Sequence, residues 1–307
     1  MNLTDLRIFA SVASHPSLGT AALDLHLTPS AVSKALKRLE ADLGRDLFDR
    51  SARQLVLNTS GSLLLARAQA LLALADQARS DVMGEQAAVD CRIGGPAMLL
   101  WRHGRAAARA VAAYPGATLR LQALFEDEAL AALQRGDIGF ALVTGAALGA
   151  RGPHWLPEWE ATPLGSVTMQ LAAGESHPLL AGREASRRAL RLKAATVLAH
   201  DFACPAYSPF GGQARGARAD GWRDDQLPRR IRYWCEDLQV LLGLVRDGLA
   251  LAYLPDFALA DARLRRIHVG DCPFDCVEQV VLVWNRARAA AWQHVLAETL
   301  AETPAAA

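Results

Sequence analysis

The run Leu27-Thr28-Pro29-Ser30-Ala31-Val32-Ser33-Lys34-Ala35-Leu36-Lys37-Arg38-Leu39-Glu40 decides the reading of the first domain. Thr28 suits the N-cap of a helix, and Pro29 suits the first helical position, where a missing N–H costs nothing. Ala31, Val32, Ala35, Leu36, Leu39 and Leu43 recur at helical spacing, which turns them inward, and Gly44 stops the helix. Ser33, Lys34, Lys37 and Arg38 fall on the opposite face. Upstream, Leu3, Leu6, Phe9, Ala10 and Ala13 make one apolar stripe that breaks at His15-Pro16-Ser17, and Thr20 to Leu25 forms a second short helix. Helix, turn and a third helix with a basic, hydroxyl-bearing outer face make a helix–turn–helix. Such a helix fits the major groove: its N-terminus favours phosphate, and Lys and Arg neutralise the backbone. The plainer alternative is a three-helix bundle with a solvated charged face.

Beyond Gly44, Leu47 to Arg50 and Arg53 to Asn58 read as two short strands, a wing carrying Arg50 and Arg53. Thr59-Ser60-Gly61 opens a long helix to about Met83 that is dense in leucine: Leu63, Leu64, Leu65, Leu71, Leu72 and Leu74. A helix this apolar needs a partner, and a second copy of the chain supplies one. On that reading Leu64→Glu and Leu71→Glu give monomers by light scattering. Gly84-Glu85-Gln86 is a linker. From Cys91 strands and helices alternate: strand from Cys91, helix Met98 to Ala113, strand Thr118 to Leu124, helix Glu126 to Gln134, strand Asp137 to Val143. That βαβαβ order predicts an α/β unit with a parallel sheet. A second unit follows, with strand Ser166 to Ala172, helix near Glu184 to Leu190, strands at Thr196–Leu198 and Arg230–Trp234, helix Glu236 to Asp247 and strand Leu249–Tyr253. A strand at Val277–Trp284 and a helix Ala287–Ala301 close the chain. Crossings near 161–165 and 266–270 make two lobes and a cleft, where such sheets bind small ligands.

Composition sets the outer limits. The 307 residues carry a formal net charge of +1, with 51% hydrophobic and 21% charged residues. That balance excludes disorder as the main state. No run approaches the roughly 20 apolar residues of a spanning helix, and Met1 to Asp5 lacks a signal peptide's features, so a cytoplasmic protein without a membrane partner is expected. The five cysteines Cys91, Cys204, Cys235, Cys272 and Cys276 are scattered, which argues against a disulfide framework. Cys272, Cys276 and nearby His268 lack the paired CxxC sets of a zinc site, and neither a metal nor a cofactor is expected.

Ser17 to Glu40, together with Leu43-Gly44-Arg45-Asp46-Leu47-Phe48-Asp49-Arg50, resembles the signature of LysR-type transcriptional regulators. Gly248 to Pro255, GLALAYLP, is similar to a strand of the same family, so the resemblance spans essentially the whole chain. It implies an all-α winged helix–turn–helix N-terminal domain over 1–60 and a dimerising linker helix and hinge over 61–90. It further implies an α/β two-lobed effector domain like periplasmic binding proteins over 91–303, with lobe one at 91–161 and 268–303 and lobe two at 162–267. It implies a homodimer or homotetramer that binds double-stranded DNA and a small-molecule metabolite, with RNA polymerase as a further candidate partner. By position, Thr28, Pro29 and Ser30 lead the recognition helix. Ser33, Lys34 and Lys37 face the groove, and Arg38, Arg50 and Arg53 sit on phosphates or in the minor groove. Pro29 stands where many members have Gln, which removes one base contact, and Leu18-Gly19 replaces the usual Phe-Thr.

The resemblance places the effector against Pro96, Ala97 and Met98 at the start of the first lobe-one helix, against Thr144, and against Tyr207 and Ser208 in lobe two. Trp234 and Asp237 lie near the next strand end. Helix N-termini favour anions, while Pro96, Ala97 and Met98, in place of hydroxyl residues, favour an apolar ligand. For each position plain packing is the rival reading, as it is for Trp101, His103 and Tyr253. His154, Trp155 and Trp159 read as surface packing, and Arg183, Arg187, Arg188, Arg191 and Lys193 as a solvated face. Two other functions compete. An enzyme lacks support, because there is no nucleophile elbow, Walker loop, HExxH or dinucleotide fingerprint. A redox-sensing regulator would use Cys204, bridged to Cys235.

Overall fold

The computed structural model describes residues 1–15, 17–49, 56–83, 89–150, 159–182, 190–210 and 220–302. Arg50 and Arg53 of the expected wing, the Gly84–Gln86 linker, His154, Trp155, Arg183, Arg187 and Arg188 lie outside the described residues.

Three helices open the chain: α1 (Leu3–Ser14), α2 (Leu18–Asp24) and α3 (Pro29–Leu43). Each start is capped by its own sequence. Asn2 accepts from the Asp5 amide, Ser17 and Thr20 form a capping box, and Thr28 accepts from the Ala31 amide. Gly44 ends α3 at φ 64, a left-handed conformation that glycine adopts without steric cost. Leu6, Phe9, Val12, Val32, Leu36 and Leu39 fill the core between them, and Phe9 meets Phe48 edge-to-face. Strands β1 (Phe48–Asp49) and β2 (Val56–Leu57) pair antiparallel as the base of the wing. Helix α4 (Thr59–Met83) runs 25 residues, about 37 Å at the usual rise, and packs along α1. Leu64, Leu65 and Leu72 lie on the N-terminal core, while Leu63, Leu71, Leu74 and Val82 are exposed.

Lobe one contains β3 (Asp90–Gly95), α5 (Ala97–Val111), β4 (Thr118–Ala123), α6 (Glu126–Arg135), β5 (Phe140–Thr144) and α7 (Gly145–Gly149). Strand β3 runs parallel to β4 and to β5, as the alternation predicts. The strand expected from Ser166 is instead β6, sixteen residues from Trp159 to Gly174. Lobe two adds β7 (Leu190–Leu192), α8 (Ala194–Leu198), β8 (Asp201–Pro205), β9 (Arg230–Cys235), α9 (Leu238–Arg246), β10 (Ala252–Pro255) and β11 (Leu264–Val269). The chain returns to lobe one through β12 (Val277–Asn285) and α10 (Ala291–Glu302).

The sheet order is β4-β3-β5-β12-β6-β11-β7, with β10 also on β6, while β8 and β9 form a separate parallel pair. The sheet is mixed rather than parallel, because β6 and β12 run antiparallel to their neighbours. Strand β6 is the bridge between lobes. Its first part pairs with β12, and from Met169 on it pairs with β10 and β11. The second crossing lies between β11 and β12, after residue 269. The expected strand Thr196–Leu198 is helical. The Asp271 carboxylate accepts from the Ala194 amide at 2.7 Å and supplies the helix start that Lys193 does not. The segment before Leu190 is outside the described residues, and Leu190 itself opens β7 rather than ending a helix. Among the described residues no helix is long and apolar enough to cross a membrane.

Candidate nucleic-acid interface and effector cleft

Recognition by α3 depends on which of its polar side chains are free. Thr28 caps the helix at 3.2 Å and shares a hydrogen bond with the Ser30 hydroxyl at 3.0 Å. Pro29, Ser30, Lys34 and Lys37 are exposed and Ser33 is half-buried. The acids of the same helix are taken: Asp42 pairs with the Met1 ammonium at 2.6 Å, and Glu40 accepts from the Leu47 amide at 2.8 Å. The outward surface therefore keeps its lysines uncancelled.

Arg38 has a partner that local pattern does not suggest. Its Nε donates to Asp5 at 2.8 Å and its Nη2 pairs with the second carboxylate oxygen. The Asp5 carboxyl is fully buried, and the Arg38 hydrogen bond holds it below the usual carboxylate range against the cost of burial. Arg38 thus ties the recognition helix to α1 while more than half of its side chain stays exposed. Sequence reading missed Asp5, and the only signal was an acid set beside the apolar stripe of α1.

In lobe one the carboxyl ends of β3 and β5 and the N-termini of α5, α6 and α7 converge. Pro96 is buried at the α5 N-cap and Ala97 is exposed beside it. Met98 is buried in the main core cluster, on the inward stripe of α5. Thr144 is buried and caps α7. Its amide donates to Glu126 Oε1 at 2.5 Å. Burial raises the Glu126 pKa, opposed by its hydrogen bonds to Thr144. Glu278 is also raised, by burial and then by the charge of Glu126. The Thr144 turn amide, a natural seat for an anion, is filled by the chain's own carboxylate. The preference for an anionic ligand therefore has no support at this turn. Sequence reading missed Glu126, since an acid in a first helical turn looks like an ordinary partner of the helix dipole.

Across the cleft, Tyr207 is exposed and Ser208 half-buried, and the Phe210 carbonyl accepts from the Glu126 amide at 3.2 Å. That bond joins lobe two to lobe one. Asp237 caps α9 through the Gln239 and Val240 amides, and Trp234 is half-buried. His103 and Tyr253 are core residues. Burial, reinforced by the Arg102 charge, pulls His103 down to about 4, and Tyr253 stacks edge-to-face on Trp222 at 5.2 Å.

The cysteines are set in unlike surroundings. Cys235 joins the cluster of Ala203, Leu241 and Leu242, while Cys204 lies one register position away, against Asp220 at 3.5 Å. Neighbouring positions of a strand point to opposite faces, so the two thiols do not face each other. Burial, then the Asp220 charge, pushes the Cys204 thiol well above its ordinary value, which disfavours the reactive thiolate. Among the described residues no group of three or more His, Cys, Asp or Glu is arranged to hold a metal.

A family model described as "Bacterial regulatory helix-turn-helix protein, lysR family" matches residues 3–62, and one described as "LysR substrate binding domain" matches residues 85–303. The HTH-type transcriptional regulator PtxR of Pseudomonas aeruginosa is 45% identical over 82 residues, which are 27% of this chain and 26% of PtxR. The alignment thus spans about a quarter of that relative. The SDS degradation transcriptional activation protein of Pseudomonas sp. (strain ATCC 19151) is 30% identical over 257 residues, 83% of this chain and 79% of that protein. A full-length OxyR point variant from Pseudomonas aeruginosa shares the fold, with a TM-score of 0.63 at 19% identity over 100% of this chain and 96% of that one. With a capped, lysine-bearing third helix at one end and a two-lobed α/β body at the other, the chain belongs to the LysR family of bacterial helix-turn-helix transcriptional regulators.

Proposed function

We propose that residues 1–60 bind double-stranded DNA through α3, that 61–90 join two copies, and that 91–303 close on a small-molecule effector. The observation that carries the DNA reading is the capped start of α3, with Lys34 and Lys37 exposed while Asp42 and Glu40 are occupied elsewhere. Thr28, Pro29, Ser30 and Ser33 then approach base edges and the lysines take phosphate or guanine. Lys37→Ala is expected to weaken binding to all duplexes alike and to flatten the slope of log K against log salt by about 0.9. Ser33→Ala shifts sequence preference. Unchanged slopes and preferences in fluorescence anisotropy would remove α3 from the interface.

Self-association is supported by the exposed stripe Leu63, Leu71, Leu74 and Val82 on a helix whose Leu64, Leu65 and Leu72 already pack on the N-terminal core. Leu71→Glu and Leu74→Glu are expected to yield folded monomers by multi-angle light scattering, and a persistent dimer refutes this seam. Leu64 is no longer a suitable test, because it packs on the N-terminal core. The effector reading is supported by the converging strand ends and the Glu126–Phe210 bond between the lobes. A thermal-shift screen of small metabolites is its test, since a binder stabilises the folded state by mass action.

A further inference from the structure

Two residues of α5 reach out of lobe one and grip lobe two beside the bridging strand. Trp101 meets Phe257 edge-to-face, with centroids 5.0 Å apart, and the Arg102 guanidinium lies 5.6 Å over the same ring. Phe257 follows β10 and belongs to lobe two. Arg102 Nη1 donates to the Ser166 carbonyl of β6 at 2.6 Å, with the Asp256 carboxylate 3.8 Å away. Asp256 is itself pinned, since one oxygen accepts from the Thr168 amide at 3.3 Å and the other from the Phe257 amide at 2.9 Å.

The grip falls where β6 changes partners. Gly165, one residue before Ser166, has φ +88 with nothing within 4 Å of a built Cβ. The β6–β12 register slips at the same place: Gln279 faces Ser166 but Val281 faces Pro163, so β6 carries an extra residue. This is a bulge, and bulges bend strands. The Arg102 side chain is only 8% exposed, and its buried Nε has no hydrogen-bond partner. A buried guanidinium holding its carboxylate at 3.8 Å with an idle donor is incompletely engaged, because Arg and carboxylate prefer two short parallel bonds.

We propose that Arg102 and Asp256, seated on the Gly165 bulge, form a clasp whose engagement sets how far the two lobes close. The inference rests on the two-lobed effector reading, since α5 carries Pro96 and Ala97 at one end and the clasp one turn further on. It makes the clasp a regulatory element of that cleft. Loosening it opens the lobes without touching the strand ends where the effector is placed.

The Glu126 amide, bonded across the cleft to Phe210, is a reporter remote in sequence from the clasp. Hydrogen-exchange mass spectrometry on the full-length protein, with no ligand added, compares the parent with Arg102→Met, Asp256→Asn and the double variant. Arg102→Met, which also loses the bond to the Ser166 carbonyl, is expected to speed exchange of the Glu126 amide about tenfold, and Asp256→Asn about threefold, the size of a loose ion pair. The double variant adds nothing further, and amides of β3 and β4 within lobe one stay unchanged. Parental exchange at Glu126 in both single variants, or additive effects in the double, overturns the clasp. Should Arg102→Met fail to fold, Asp256→Asn at a partly exposed position keeps an acceptor for Thr168 and decides the matter alone. Because no ligand is used, a failed metabolite screen would count against the effector reading without touching this result.

Discussion

Arg229→Met is expected to destabilise the effector domain by about 3–5 kcal/mol, the cost of stripping the partner from a buried charge. Arg229 and Asp220 are each 1% exposed, with the Arg229 Nη1 bonded to Asp220 at 2.7 Å and Nη2 to Asp224 at 2.8 Å. The guanidinium also lies over the Trp222 and Phe202 rings. Burial works against this charge, yet the Asp224 and Asp220 carboxylates outweigh it and hold the guanidinium firmly protonated. Removing it leaves two carboxylates facing each other, one fully buried. For a domain of this size, that loss corresponds to a fall in Tm of about 10 °C. Differential scanning calorimetry reads it directly, and a fall below about 2 °C would show that water reaches the site and screens the acids. Arg229→Met combined with Asp220→Asn and Asp224→Leu is expected to recover part of the loss, because a buried ion network and a packed apolar one are often close in energy.

The second large effect concerns the recognition helix. Arg38→Ala leaves the fully buried Asp5 carboxylate without its cation. Arg38 is 56% exposed, so solvent screening keeps the loss of stability well below that of Arg229→Met. Since α1 and α3 are held in register by this pair, DNA affinity falls with stability, by about tenfold if one charge-assisted hydrogen bond is lost. Lys37→Ala, by contrast, lowers the salt slope and leaves Tm alone. The two variants therefore separate a positioning role from a phosphate contact. If Arg38→Ala lowers the slope by about 0.9 with an unchanged melt of the N-terminal domain, Arg38 is a phosphate ligand after all. The pair also gives acid sensitivity of defined sign. Asp5 is lowered below its ordinary 3.8, so its stabilisation is full above that pH and is lost as the pH falls through the lower folded value.

Much of the N-terminal domain was legible because its signals are local. Thr28, Pro29 and Gly44 act within a few residues of themselves, and the helix they bound, Pro29–Leu43, is where the sequence puts it. The effector domain was legible in outline, since strand-helix alternation sets the βαβ order. It was misread at Thr196–Leu198, where a β-branched Thr-Val pair and a leucine fit a strand or a short helix equally well. The choice fell to Asp271, a carboxylate 77 positions from the amide it caps. The burial of Met98 was illegible for a similar reason. A residue in the first turn of a helix can face a cleft or a core, and only the packing of α5 on its sheet decides.

Local pattern was enough for the helix–turn–helix, the long apolar helix and the two-lobed order of elements. Each follows from periodicity, caps and breakers that act between near neighbours in the chain. Tertiary structure alone decided the use of the charged side chains. Arg38 was drawn to Asp5 across 33 positions, Glu126 to the Thr144 amide across 18, and Arg102 to the Ser166 carbonyl across 64. A charge removed from water must find its complement wherever the fold brings one, and no local pattern says where that is.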